Sequence, residues 1–293
     1  GVWSNGYAGV WHLNGNGTDA SSNANNGTLS GPTAVTGLFG QALDFNGSSN
    51  YLSIPNSASL QPTAALTLQG WVRPRTFGTG NDVDTILRKG DGNPNNYQLS
   101  LQAQAGFFAL DGNDDGTSGP RGATTLRANT WYHVVGTWNG TTSSVYVNGA
   151  LDASAADSTP GTDTRDLYIG GRTGSTDIFD GLIDEVRLSS VARSSGWVLT
   201  EFMNQNSPST FFPVGAQVTA AGCSAEGGAI LIRRDSASEH WKYDIQNTGT
   251  TWKNTSFADS GWLVGGGIFG TEGNLTIRTP ISNTNRSMFF RKN

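Results

Sequence analysis

The stretch FDGLIDEVRLSS, Phe179 to Ser190, sets a carboxylate inside a strand pattern. At a period of two, Leu182, Val186 and Leu188 share one face, and Ile183 and Arg187 share the other. Asp184 falls in phase with the leucines and the valine, so it is expected on the buried face. A buried carboxylate needs a cation or several hydrogen-bond donors. Two kinds of partner stand open: a metal ion, or protein groups such as backbone N–H donors or Arg187.

The rest of the chain offers little that could break or make bonds. The histidines are His12, His133 and His240. The first two lie in strand-like aromatic contexts, GVWHLN and TWYHVVGTW, and read as structural, because a lone histidine is not a catalytic constellation. No GxSxG elbow or HExxH helix occurs. Glycosidases of jelly-roll type use a strand of alternating acids, and no such run is present. Asp184 and Glu185 point to opposite faces, whereas retaining chemistry needs two carboxyls about 5 Å apart. Asp111, Asn113, Asp115 and Gly116 copy the opening of an EF-hand loop. The twelfth position is Gly122 rather than Glu, and no flanking helices are expected, so a true EF-hand is excluded. The default for this stretch is a solvated polar loop. The Asn-Gly-Thr triplets at Asn16, Asn26 and Asn139 read as turns.

Composition points to a β-rich, exported protein. The 293 residues include 40 glycines and nine tryptophans, with only 14% charged residues. A net charge of −5 and the absence of a basic stripe argue against nucleic acid. The single cysteine, Cys223, rules out an internal disulfide framework and a Cys-rich zinc site. No apolar run reaches membrane-spanning length. The chain opens on Gly1 without Met, which reads as a processed piece of a longer protein.

These residues must be held by strands. Leu43 and Phe45 alternate with Asp44 and Asn46, and Leu66, Leu68 and Trp71 follow one another in LTLQGWVRP. Two β-rich runs, Trp131–Trp138 and Ser144–Val147, flank Asn139-Gly140, and a second Asn-Gly turn follows at Asn148-Gly149. Only Ser194–Asn206 looks helical, capped by Ser194 or Ser195 with Val198, Phe202 and Met203 as its apolar stripe. The pattern predicts an all-β antiparallel sandwich or jelly roll. Trp71, Trp131 and Trp138 are expected in its core. Pro208 and Pro213 punctuate a boundary. The expected organisation is an extended segment at 1–8, a jelly-roll domain at 9–206, a linker at 207–215 and a small β-rich unit at 216–293.

The motifs GQALDFNGSSNYLSIP, LTLQGWVRP, TILRKGD, TWYHVVGTWNGTTSSVYVNGAL, LYIGG and FDGLIDEVRLSSVARS follow in one order. They resemble the laminin-G-like, concanavalin A-like jelly-roll domain of bacterial secreted proteins. The opening GVWSNGYAGVWHLNGNGTDASSNANNGTLSG resembles the lead-in to such domains and implies further chain before Gly1. The resemblance implies two antiparallel sheets face to face, a binding role and, in many members, a structural calcium. Its ligands map onto Asp44 and Asp184, with backbone carbonyls. Asn46, two residues along the same strand face, could add an oxygen. Hence calcium is the expected cofactor, at Asp44, Asn46 and Asp184; no residue is singled out for catalysis or for ligand contact.

Residues from about 229 to 293 more distantly resemble the start of a galactose-binding-like β-sandwich module. That unit is truncated, smaller, or completed by another chain. Trp241, Trp252 and Trp262 lie in its looser sequence and could stack on sugar rings, though core packing competes. His240–Asp244, Ala229–Arg233 and Ser287–Arg291 read as strands. Unpaired strand edges there, and the β-prone segment GVWSNGYAGVW, make strand donation in cis or in trans open readings.

The expected function is a non-catalytic extracellular binding or adhesion module for a glycan or cell-surface protein. The alternative is a structural subunit of a filament or surface assembly built by strand exchange. The expected location is secreted or at the cell surface of a bacterium.

Overall fold

The computed structural model describes residues 3–79, 82–90, 96–110, 119–157, 159–162, 164–172 and 177–211, together with five short strands beyond residue 212. The chain divides into two units, Gly1–Phe212 and Pro213–Asn293.

The first unit is a two-sheet antiparallel sandwich, as the alternation predicts. Its strands are β1 (Tyr7–Trp11), β2 (Thr28–Ser30), β3 (Thr33–Thr36), β4 (Gln41–Asn46), β5 (Tyr51–Ile54), β6 (Leu66–Pro74) and β7 (Val83–Lys89). They continue with β8 (Tyr97–Gln102), β9 (Ala105–Leu110), β10 (Tyr132–Trp138), β11 (Thr142–Val147), β12 (Ala150–Ala156), β13 (Leu167–Ile169) and β14 (Asp180–Ser189). One sheet runs β12-β11-β10-β6-β14-β4-β3, with β1 also on β14. The other runs β2-β5-β13-β7-β8-β9.

Between the sheets lies a continuous apolar core. Leu43, Leu68, Val134, Val186 and Leu188 come from one side, and Leu52, Leu87, Leu99, Leu101 and Phe108 from the other. The Asn148-Gly149 turn is a tight β-hairpin with both residues at positive φ, 50° and 81°, the geometry that selects Asn-Gly.

Helix α1 (Ser195–Asn206) follows β14, and a second short helix, α2 (Pro208–Phe211), follows it. Ser194 caps α1, its hydroxyl accepting the Trp197 N–H at 3.2 Å. Val198 packs on Val135 and Tyr146, so α1 covers the outer face of the eight-stranded sheet. Phe202 stacks with its ring centroid 5.8 Å from that of Trp71. Trp71 therefore lies under the helix, not between the sheets, whereas Trp138 is in the core as expected. Trp131 is half-buried, and Met203 is 47% exposed and lies off the helix's buried stripe.

Strand β1 pairs with β14 of the same chain, Val10 opposite Arg187 and Trp11 opposite Val186. Trp11 is fully buried and donates its indole N–H to the Asn25 carbonyl at 2.9 Å. The approach is so close that a Cβ on Gly9 would sit 2.2 Å from the Trp11 ring. The Ser190 N–H donates to the Gly6 carbonyl, and Arg193 donates to the Asn5 carbonyl at 2.7 Å. Arg187 lies over the Trp3 ring and Arg193 over the Tyr7 ring, each 4.7 Å from its centroid. The donation of this segment is thus in cis, and the sandwich starts before Gly9.

In the second unit, β15 (Arg233–Arg234), β16 (His240–Asp244), β17 (Leu263–Ile268), β18 (Thr276–Ile277) and β19 (Arg291–Lys292) form a sheet ordered β15-β17-β16-β18, with β19 on β16. The expected strand at His240–Asp244 is present. Those at Ala229–Arg233 and Ser287–Arg291 lie mostly outside the described residues, as do Cys223, Trp252 and Trp262.

Removing Gly1–Ala8 takes away the start of β1, the Trp3 ring over Arg187 and the Tyr7 ring over Arg193, leaving Arg193 with the Trp197 ring alone. The truncated protein should melt about 3–10 °C lower. A calorimetric scan that superimposes on the full chain would mean that β1 adds nothing to its own sheet.

Candidate functional site

The fate of Asp184 follows from a β-bulge. The register of β14 against β6 shifts between Asp184 and Arg187, and Glu185 adopts φ 51°. The extra residue reverses the phase. Ile183, Val186 and Leu188 enter the core, and Asp184 and Arg187 turn to the outer face. Asp184 is therefore not in phase with Val186 and Leu188, contrary to the alternation read from sequence.

It is nonetheless fully buried, beneath the β3–β4 turn. Its Oδ2 accepts the N–H groups of Leu38 and Phe39, each at 3.0 Å. Its Oδ1 is buried without a hydrogen-bond partner. Burial pushes the carboxyl pKa up to about 6, opposed by the Phe39 N–H and reinforced by the Glu185 charge. Arg187 does not serve Asp184: it pairs with Glu185 at 2.7 Å and with Glu201 of α1.

The other two expected calcium ligands have separate employments. Asp44 accepts from Arg75 at 2.7 Å. Asn46 Oδ1 accepts the N–H groups of Ser48, Ser49 and Asn50 at 3.0–3.2 Å and closes the β4–β5 turn. Calcium needs six to eight oxygens. Of the three residues, Asp184 alone keeps a buried oxygen without a protein partner, and Asn46 Oδ1 is already held by three N–H groups, so Asn46 does not fit as a ligand in this arrangement. Among the described residues no group of three His, Cys, Asp or Glu side chains could hold a metal ion. The EF-hand-like Asp111, Asn113 and Asp115 lie outside the described residues.

A feature the sequence did not disclose is Arg75, just past the end of β6. It bridges Asp44 on β4 and Asp180 at the start of β14, and also donates to the Phe45 carbonyl at 3.3 Å. The two carboxylates raise the Arg75 pKa, with the hydrogen bond to Asp44 as the main cause. Thr76 donates its hydroxyl to Asp180 at 2.7 Å. Three strands are needed to bring these groups together, and nothing in local spacing announces that.

An open cleft lies on each side. The first, of about 200 Å³, is lined by Asn46, Thr76, Phe77, Asp82, Asp84 and Asp180 among others. The second, of about 340 Å³, is lined by Thr36, Asp44, Arg73, Arg75 and Asn129 among others. Gly181 (φ 140°) sits at the junction, where a Cβ would come within 2.3 Å of the Arg73 carbonyl oxygen. Asp84 is 6% exposed, and its Oδ2 accepts the Gly78 N–H at 3.0 Å. Burial pushes its pKa up to about 6, against that N–H, with the charges of Asp180, Asp82 and Asp177 adding to the rise.

Both described histidines, His12 and His133, have structural partners. His133 is buried beside Trp71 and Phe202, and burial pulls its pKa down to about 3. His12 contacts Glu185 at 2.6 Å, next to the Trp3 ring. That carboxylate also holds Arg187, so the group reads as a clasp for β1. The side chain of His240 is outside the described residues.

A carboxyl with a raised folded pKa makes the native state bind more protons than the unfolded chain between the two pKa values. Stability therefore falls as pH rises through that window. Here the window runs from 3.8 to about 6 for Asp84 and Asp184. At ~1.4 kcal/mol per unit, each contributes on the order of 1–3 kcal/mol. Chelator-treated protein should melt higher at pH 5 than at pH 7.5, and the double substitution Asp84→Asn, Asp184→Asn should flatten that difference. An unchanged pH slope in the double variant would contradict the burial argument.

The Laminin_G_3 family model, described as Concanavalin A-like lectin/glucanases superfamily, matches residues 46–199, more than half of the chain. No curated protein sequence matches. Among solved structures, domain 4 of AbnA, a GH43 extracellular arabinanase from Geobacillus stearothermophilus in complex with arabinotriose, aligns with TM-score 0.55 and 19% identity. The alignment covers 66% of this chain and 97% of that domain. The binding domain of botulinum neurotoxin DC in complex with SialylT aligns with TM-score 0.54 and 12% identity, over 69% of this chain and about half (52%) of that one. A Trypanosoma rangeli sialidase in complex with the inhibitor DANA gives TM-score 0.53 and 20% identity, over 68% of this chain and 33% of the enzyme. At such identities the likeness is one of fold.

Proposed function

The chain belongs to the Laminin_G_3 family of the concanavalin A-like lectin/glucanases superfamily, and from that premise we propose that it is a non-catalytic glycan-binding module of a secreted or cell-surface protein. The observation that carries the reading is the pair of polar clefts beside Arg75, open at the surface and lined by planar oxygen- and nitrogen-bearing side chains. Asp, Asn and Arg groups of this kind meet adjacent sugar hydroxyls with paired hydrogen bonds. Phe77, half-buried against the core, closes one wall of the first cleft. The solved domains that share the fold and hold arabinotriose or SialylT support a saccharide ligand in general terms.

A non-catalytic role is supported by what the acids and histidines do. Asp180 is neutralised by Arg75, His133 is stacked and uncharged, and His12 is tied to Glu185. The structural-subunit alternative has less support, because β1, the strand available for exchange, is already paired in cis. On a glycan array the full chain should bind at least one saccharide. Asp180→Asn should weaken that binding about tenfold, the worth of one charge-assisted hydrogen bond, and Leu199→Ser on α1 should leave it unchanged. An array without a single positive would remove the glycan reading.

Calcium enters as a second part of the proposal, at Asp184 alone. Its partnerless Oδ1 would be one ligand, with backbone carbonyls as the others. A bound ion stabilises only the native state. Excess chelator should then lower the melting temperature, and Asp184→Asn should abolish that drop. Identical melting with chelator and with added calcium would leave Asp184 to its two N–H donors.

A further inference from the structure

The second cleft combines an apolar floor with a basic rim. Leu182 stands between Arg73 and Asp44 in the strand register, and with Val35 it gives the cleft a half-buried apolar surface. The two guanidiniums on the rim are not equivalent. Arg75 is fully engaged, with Asp44, Asp180 and the Phe45 carbonyl. Arg73 donates through Nε to the Asn129 carbonyl at 3.0 Å, and its two Nη groups have no protein acceptor among the described residues. The backbone around that one bond is specialised. Asn129 adopts φ 59°, a left-handed conformation that Asn enters more readily than most residues, and its N–H donates to the Pro74 carbonyl at 2.7 Å. Both backbone groups of Asn129 are thus turned onto the end of β6, and one of them orients the Arg73 side chain. What remains of that guanidinium is a fork of Nη donors, the geometry that takes a carboxylate through two parallel bonds.

Resting on the glycan reading above, we infer that the second cleft recognises a uronic-acid saccharide, with Arg73 as the residue that selects it. The sugar carboxylate would take the two Nη groups. Arg75 holds Asp44 through Oδ1, so Asp44 Oδ2 would accept a neighbouring sugar hydroxyl. The apolar face of the sugar ring would lie over Leu182 and Val35. Two cations and one carboxylate line the cleft, and of the cations only Arg73 lacks a carboxylate partner, so an entering anion meets net attraction.

The experiment titrates the full chain with tetramers of galacturonate, glucuronate and mannuronate, each beside its carboxyl-reduced counterpart, and with acetate. The expected result is that at least one uronate tetramer binds about tenfold or more tighter than its reduced form, the worth of a hydrogen-bonded charge pair. That margin should shrink as salt is raised. Arg73→Gln should bring the uronate affinity down to that of the reduced form. Arg73→Lys, which keeps the charge and loses the fork, should keep only part of the margin. A chain that binds saccharides on the array but prefers no uronate tetramer to its reduced form overturns the inference and leaves the glycan module standing. A margin that survives in Arg73→Gln does the same. Acetate binding as tight as the uronate tetramer overturns it in favour of a bare anion site. Failure of every saccharide to bind removes both readings.

Discussion

Strand β14 lies between β6 on one side and, on the other, two strands that share a single edge. β4 takes its first half, at Asp180–Ile183, and β1 takes its second half, at Val186–Ser189. The handover falls at Asp184 and Glu185, where the bulge sits. Each backbone N–H and C=O along β14 must find a partner, because unpaired groups at this depth are costly. The bulge lets one strand serve two neighbours whose registers differ. The outward turn of Asp184 and Arg187, the seat of the β3–β4 turn and the clasp of β1 by Glu185 all follow from it.

That constraint also explains how much could be read from the residues. The alternation in LTLQGWVRP, the Asn-Gly turns and the Ser194 cap each have a local cause, and each gave the right element. The phase of β14 had no such cue. An αL conformation is expected of Gly or Asn, and here Glu185 adopts it because Arg187 and His12 hold its carboxylate. Trp71 was expected in the core for its size. Its burial is real but comes from α1 on the opposite face, a tertiary fact invisible to a period of two. The candidate site was less legible still. Asp184 stood out as an in-phase acid and Asp44 through the family resemblance, yet Arg75 decides what Asp44 does, and Arg75 lies 31 residues from it in sequence.

The two surfaces of the eight-stranded sheet are held by different physics. The inner face is apolar and closely packed. The outer face under α1 is a layer of stacked rings and paired charges: Trp71, His133 and Phe202 on one side, and Glu185, Arg187 and Glu201 on the other. Ion pairs that are this far buried depend on complete partnership, since removing one member strands the rest. At the sandwich end around Arg75, by contrast, the carboxylates of Asp44 and Asp180 still meet water.

The start of β1 and the turn between β14 and α1 are fastened together. Tyr7 lies opposite Ser189, Gly6 and Ser190 share a hydrogen bond, and Arg193 reaches back to Asn5. Tension applied between Asn5 and Arg193 would enter at that clasp. It would part the β1–β14 ladder one rung at a time, as a zip opens, rather than loading all its hydrogen bonds in parallel. For a load applied there, the first bonds to part are those of Asn5, Gly6 and Arg193, not the contacts of the core.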